Sequence, residues 1–258
     1  MTQSERREYL IAALLKEQPQ FSQIEIPADE QKQKSLLRAL FNVRMPAPVS
    51  AEFLKVQDAY LQEATRQKGV TRLADLTPVQ EGIYLWRGDI TTLSCDAIVN
   101  AANSQMLGCF CPNHGCIDNA IHTFAGVQLR LACYELMRNQ GHEETGRAKI
   151  TPAFNLPSRY VLHTVGPIIQ GRLTARDCAA LASCYRSCLE LAEQNGLKSV
   201  AFCCISTGEF HFPNDKAAKI AVQTVKEFKA QTQSKIEVIF NVFKESDYNI
   251  YRDLLSAD

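Results

Sequence analysis

Apolar residues along this chain follow two different rhythms. Up to about residue 75 they recur at helical spacing. Leu10, Leu14 and Leu15 form one stripe, Leu36, Leu37, Leu40 and Phe41 a second, and Phe53, Val56, Tyr60 and Leu61 a third. Pro19, Pro27 and the MPAPVS run at 45–50 punctuate them. Three helices are predicted, and their apolar stripes need a surface to pack on, so residues 1–75 are expected to form a helical extension docked on the remainder. Beyond residue 76 the rhythm changes to alternating strands and helices. GIYLWRGDI, DAIVNAA, RYVLHTVG, SVAFCCIS and KIEVIFNVF read as strands, with helices over 117–137, 174–195 and 215–230 and a last one after Ser246. Several of these strands are apolar on both faces, as a sheet covered on both sides requires. The expected fold is therefore α/β: a three-layer domain over 76–258 with a central mixed, largely parallel sheet between helices.

Composition narrows the class. The 258 residues are 46% hydrophobic, enough for one full-sized core plus an extension. Lys+Arg and Asp+Glu both number 28, so the formal net charge is zero and the basic excess of a nucleic-acid binder is missing. No stretch approaches the roughly 18 uninterrupted apolar residues of a membrane helix. The opening MTQSERREYLIAALLKEQPQ has its apolar run cut by Lys16 and Glu17 and lacks a small-residue cleavage site, so it does not read as a signal peptide. A cytoplasmic protein is expected, whose ten cysteines are then not structural disulfides. Cys184, Cys188, Cys203 and Cys204 lie in an apparent helix or an apolar run and are assigned to the core.

Candidate chemistry falls in the loops that follow strands, where layered α/β sheets bind ligands. STGEFHFPND leads from a strand into a helix, and its Ser206, Thr207 and Gly208 offer hydroxyls and unobstructed backbone N–H groups for a diphosphate, although Glu209 would repel one unless turned away. Asn100 to His122 holds Cys109, Cys111, His114 and Cys116 within eight positions. Thiolate and imidazole donors at that density suit zinc. A redox switch between neighbouring thiols and a coincidence of a cysteine-rich chain are the other readings. Three ligands would leave an open, catalytic position, and four would close the shell. Asp89, after a strand, suits an exocyclic amine or a turn cap; Asn100 and Asn103 suit ribose hydroxyls or loop support; Phe243 suits base stacking or the core.

Taken together, GDIT, DAIVNAAN, DNAIH, VLHTVGP and ISTGEFHFP resemble the successive signatures of the macrodomain family of ADP-ribose-binding modules, from about Gly82 to the C-terminus. The insertion GCFCPNHGCIDN and the helical N-terminus further resemble the zinc-dependent branch, whose members remove ADP-ribose from proteins. The resemblance implies that Asp89 binds the adenine amine with the Ile90 backbone beside it and that Phe243 packs near the base. It also implies that Ser206, Thr207, Gly208, Glu209 and Phe210 wrap the phosphates, that Asn103 orients the distal ribose, and that Cys116 and Ile117 line the ligand next to Asp118. Zinc would sit on Cys109, His114 and Cys116, with Cys111 at a variable position. Asp118 aligns with the acidic residue of hydrolytic relatives and is the implied catalytic partner of Asn103. Two departures stand out: the relatives' glycine-rich run is replaced by the cysteine loop, and His211 stands where many have glycine. The implied activity is zinc-dependent removal of mono-ADP-ribose from a modified protein, with ADP-ribose and the ADP-ribosylated protein as partners. A non-catalytic ADP-ribose reader stiffened by structural zinc is the alternative, and a thiol redox sensor a third.

Overall fold

A computed structural model describes residues 1–256. The N-terminal segment forms three helices, α1 (Gln3–Glu17), α2 (Glu30–Val43) and α3 (Ala51–Lys68). Each begins at a side chain that accepts a backbone N–H three residues on: Thr2 from Glu5, Asp29 from Lys32 and Ser50 from Phe53. Such caps satisfy N–H groups that the helix itself leaves open. The three predicted stripes meet in one cluster, with Leu10, Leu14, Leu37, Leu40 and Leu61 buried, and Val127 from the larger domain completes it. The extension is thus docked rather than free.

The rest is a layered α/β domain. Its strands are β1 (Thr71–Arg72), β2 (Pro78–Gln80), β3 (Ile83–Arg87), β4 (Leu93–Ser94), β5 (Ala97–Ala102), β6 (Ala148–Pro152), β7 (Tyr160–Val165), β8 (Ser199–Phe202) and β9 (Glu237–Val242). The pair β1–β4 is separate; the main sheet runs β2-β3-β9-β8-β5-β7-β6. Its five inner strands are parallel, and β2 and β6 close the edges antiparallel. The helices are α4 (Ile117–Ala125), α5 (Val127–Met137), α6 (Ala175–Gln194), α7 (Asn214–Thr232) and α8 (Glu245–Ser256). Helices α6, α7 and α8 pack on one another, while α4 lies against β5 and the extension. The parallel strands put the ends of β3, β5, β8 and β9 on one rim, and the loops that leave this rim carry the candidate residues. Among the described residues, no helix is long and apolar enough to cross a membrane.

Besides the short strands β1, β2 and β4, which the sequence pattern does not predict, the structure departs from it at Gly126 and at β6. The helix expected over 117–137 breaks at Gly126, whose φ of 96° suits glycine alone. A Cβ there would lie 2.7 Å from the Gln57 amide, and Gln57 Oε1 accepts the N–H of Val127, so the extension builds the break. The edge strand β6 was not read as a strand, because a half-buried edge carries no continuous apolar run. Cys184, Cys188 and Cys203 are core residues as expected, and Cys204 is half-buried.

Arg130 of α5 ties the two parts. Buried, it donates to the carbonyls of Phe41, Asn42 and Arg44 at the C-terminal end of α2, and to that of Leu107. Replacing Arg130 with Met leaves those carbonyls without a donor and should cost roughly 3 kcal/mol. Denaturant unfolding measures that loss, and hydrogen exchange should rise first over 30–44; unchanged protection there would refute the tie.

Candidate functional site

One cavity of about 1570 Å³ lies over the rim of the sheet, bounded on one side by the N-terminal helices. It is lined by Asp89, Ile90, Asn103, Cys109, His114, Cys116, Ile117, Asp118, Ser206, Thr207, Gly208, Glu209, Phe210 and Phe243. Residues 89 to 243 in the sequence therefore meet in one place; of the candidates named from the sequence, Asn100 and Cys111 stand outside its walls.

At one end, Asp89 caps the turn of 3-10 helix over Ile90–Thr92. Its Oδ1 accepts from the Thr91 backbone N–H at 3.0 Å and the Thr91 hydroxyl at 2.6 Å. Its other oxygen faces Lys68 Nζ at 3.0 Å, and that cation lies 3.4 Å from the centre of the Phe124 ring. The Thr91 and Lys68 contacts outweigh burial and keep the Asp89 carboxyl below its ordinary pKa, so it is ionised and acceptor-only. Phe243 follows β9 and is 79% exposed, which removes the core reading and leaves a flat apolar face at the cavity mouth.

The loop after β8 folds tightly on itself. Phe212, buried, donates its N–H to the Ser206 carbonyl, and His211 donates to Gly208. Ser206 and His211 both have left-handed backbone, with φ of 64° and 57°. His211 thus takes a conformation that glycine adopts more easily, and its side chain is exposed. Ser206 packs directly on Gly166, where a Cβ would stand 2.0 Å from its hydroxyl. Among the described residues, the N–H groups of Gly208, Glu209 and Phe210 have no partner inside the protein. Backbone donors in such a turn are a ready cradle for anionic oxygens.

The cysteine loop closes the opposite end. Ligand atoms of Cys109, His114 and Cys116 all lie within 4.8 Å of one another, and Cys109 Sγ is 3.7 Å from His114 Nδ1. Two sulfurs and an imidazole at that separation fit a tetrahedral metal such as zinc. Cys111 is exposed and outside the group. Cys116 is the N-cap of α4, its sulfur accepting the Asn119 N–H at 3.4 Å, and burial pushes its thiol up to about 12 in the absence of a cation. A second group of potential ligands, His122, Cys133 and His163, is fully buried behind the site. It suits a metal less well, because both His163 nitrogens already have hydrogen-bond partners.

Two residues past Cys116, Asp118 is buried at the cavity floor. Asn100 Nδ2 donates to its Oδ1 at 2.8 Å and Asn103 Nδ2 to its Oδ2 at 3.4 Å. Burial raises its pKa to about 6, against the lowering effect of the Asn100 bond. Asn103 also donates to the Gly108 carbonyl, so one amide joins the strand end, the cysteine loop and the carboxylate.

The chain matches the Macro domain family over residues 99–221. A protein of Treponema medium named protein-ADP-ribose hydrolase is 62% identical over 261 residues, covering 99% of this chain and all of that one. One of Staphylococcus aureus with the same name is 50% identical, covering 98% of this chain and 96% of its own length. The chain is a macrodomain protein. Its fold likewise superposes on a Trypanosoma brucei macrodomain solved with ADP-ribose: TM-score 0.66, 32% identity, 84% of this chain and 94% of that one.

Three site residues of this macrodomain protein were missed from the sequence, all in the extension. Arg38 donates to the His114 carbonyl and to Asn119 Oδ1. Asn42 accepts from the Asn113 N–H and donates to Thr123. Lys68 holds Asp89. The sequence offers one hint: Arg38 and Asn42 stand one turn apart, beside the apolar stripe of α2, and polar side chains that packing buries need partners. Replacing Lys68 with Met should weaken binding of ADP-ribose several-fold, by freeing both α3 and Asp89; calorimetric affinities equal to wild type would show that Asp89 is held without it.

Acid should bear on the buried imidazoles. Burial lowers the His163 pKa to about 4 from an ordinary 6.5, so the unfolded chain takes this proton more readily than the folded one. The stability that a neutral His163 preserves is intact above about pH 6.5 and lost as pH falls toward 4. The gap in Tm between wild type and His163→Asn should narrow from pH 7 to 4.5. Asp118 is present in both proteins, and a gap independent of pH would contradict the assignment.

Proposed function

We propose that this protein hydrolyses the bond between ADP-ribose and a modified protein side chain, using a zinc ion held by Cys109, His114 and Cys116. The observation that carries the reading is the placement of that three-donor group on the same cavity as the Asp118 carboxylate, with Asn103 linking the two. The names of the Treponema and Staphylococcus relatives support the hydrolase part of this reading, as does ADP-ribose in the Trypanosoma macrodomain.

Asp89 Oδ2 accepts the adenine amine, the Ile90 backbone lies alongside, and Phe243 covers the base. The open N–H groups of the 206–210 loop receive the diphosphate, with the side chain of Glu209 turned toward His114, 3.5 Å away. Cys116 and Ile117 border the distal ribose. Asn103 orients its hydroxyls, and Asp118 orients a water molecule toward the anomeric carbon and takes its proton as the bond from that carbon to the protein side chain breaks; the proton then passes to the departing side-chain atom. Bound zinc would supply a Lewis acid beside that linkage. Thiolate at Cys116 and neutral imidazole at His114 are the forms that hold it, and the N-terminus of α4 favours the thiolate. The alternative of a pure reader loses support because Cys111, the residue needed to close the shell, lies outside the group.

In Asp118→Asn, ADP-ribose binding should survive while release of ADP-ribose from modified protein falls by about 100-fold or more. Turnover near wild type would make the carboxylate dispensable. A parallel test treats the enzyme with a chelator and offers it proteins carrying ADP-ribose on different side chains. Release should collapse and return with added zinc, and His114→Ala should lose both metal content and turnover. A zinc-free protein working at full speed would exclude the metal from the reaction.

A further inference from the structure

Behind Asp118 the sheet carries a line of polar side chains that the reaction above does not use. Asn100 of β5 is directly in register with His163 of β7, and both are fully buried. Asn100 Nδ2 donates to Asp118 Oδ1 at 2.8 Å and lies 3.2 Å from His163 Nδ1. His163 Nε2 in turn lies 2.9 Å from the hydroxyl of Thr151 on β6. Among the described residues, Asn100 Oδ1 has no hydrogen-bond partner.

Donors and acceptors leave one consistent arrangement. Turning the Asn100 amide over would set its oxygen against a carboxylate oxygen, acceptor facing acceptor, so the NH₂ group must face Asp118. The second hydrogen of that NH₂ then points at His163 Nδ1, which must offer a lone pair. The ring's single proton is left on Nε2, where the Thr151 oxygen accepts it. The other tautomer would oppose two donors and release the amide to rotate toward its unpartnered oxygen. We propose that His163 is a positioning residue for hydrolysis: a neutral, Nε2-protonated imidazole whose Nδ1 lone pair locks the Asn100 amide, which in turn fixes the Asp118 carboxylate toward the ribose. Burial, which keeps His163 neutral down to about pH 4, agrees with this form. The inference rests on the reading of Asp118 as the residue acting on the ribose linkage.

The tautomer is measured without any substitution. A long-range proton–nitrogen NMR spectrum of the ¹⁵N-labelled, zinc-loaded protein at pH 7 should show His163, assigned through its contact with the Thr151 methyl, with an unprotonated Nδ1 and a protonated Nε2. An Nδ1-protonated ring or an imidazolium overturns the proposal. The functional arm compares His163→Asn, whose Oδ1 hangs from the same carbon as Nδ1 and accepts in its place, with His163→Leu, which fills the space without an acceptor. In folded protein, kcat should fall roughly 10- to 100-fold in the Leu variant and largely recover in the Asn variant, with ADP-ribose affinity and KM held within a few-fold in both. Equal kcat in both variants, high or low, overturns it. Should the Leu variant not fold, Thr151→Val releases the ring from its outer side, and a kcat unchanged from wild type there counts against the proposal. A wild type that releases no ADP-ribose from any modified protein defeats the hydrolase reading alone, while the tautomer in the same sample still decides the hydrogen-bond assignment.

Discussion

The site is organised around the burial of one carboxylate. Asp118 sits in the first turn of α4 against the C-terminal end of β5, where an unpaired charge would be costly. Among the described residues no lysine or arginine bonds it, and the Arg130 charge acts on it only from a distance. Its two oxygens are held instead by amides, Asn100 from within the sheet and Asn103 from the loop beyond it. Neutral donors compensate a negative charge without cancelling it, so the group remains an acceptor aimed at the cavity. The strand, its neighbour β7, the turn that places Asn103 and the helix that presents Asp118 are therefore parts of one constraint. Gly108 belongs to it as well: a Cβ there would stand 2.7 Å from His122, which packs under the carboxylate.

The N-terminal helices answer a second need. The loop from Gly108 to Cys116 has no regular structure to hold three donor atoms together, and irregular chain left to itself would pay heavily in conformational entropy to stay in place. Arg38 and Asn42, one turn apart on α2, pin it at the His114 carbonyl, the Asn113 N–H and Asn119. Lys68, at the end of α3, reaches Asp89 at the far end of the cavity. The extension thus forms a wall of the site at both ends and is more than a stabilising appendage.

Much of this was legible in the chain. The strand–helix alternation depends on local periodicity, so the layered sheet and its inner parallel strands could be read directly. The cysteine loop announced itself through donor density, and the resemblance of GDIT, VNAAN and ISTGEF to known signatures placed the remaining walls. What escaped depends on contacts between distant segments. Gly126 breaks a helix only because Gln57 waits for the Val127 N–H, and Arg38 reads as an ordinary surface arginine until α2 is laid across α4. Asn100 reads from the sequence as a ribose or loop contact and His163 only as part of a strand; the pairing of β5 with β7 brings the amide and the imidazole together. Phe243, which the sequence leaves between base stacking and the core, lies one residue past β9 and exposed, so the core reading falls.

The central claim is one of proximity between donor group, carboxylate and sugar. It is tested most directly by a crystal structure of the protein with zinc and ADP-ribose, read for the position of the metal and of the anomeric carbon. Zinc should lie on Cys109, His114 and Cys116, with the anomeric carbon of the distal ribose between it and Asp118. Zinc bound elsewhere, or a ribose whose anomeric carbon faces away from both groups, would contradict it.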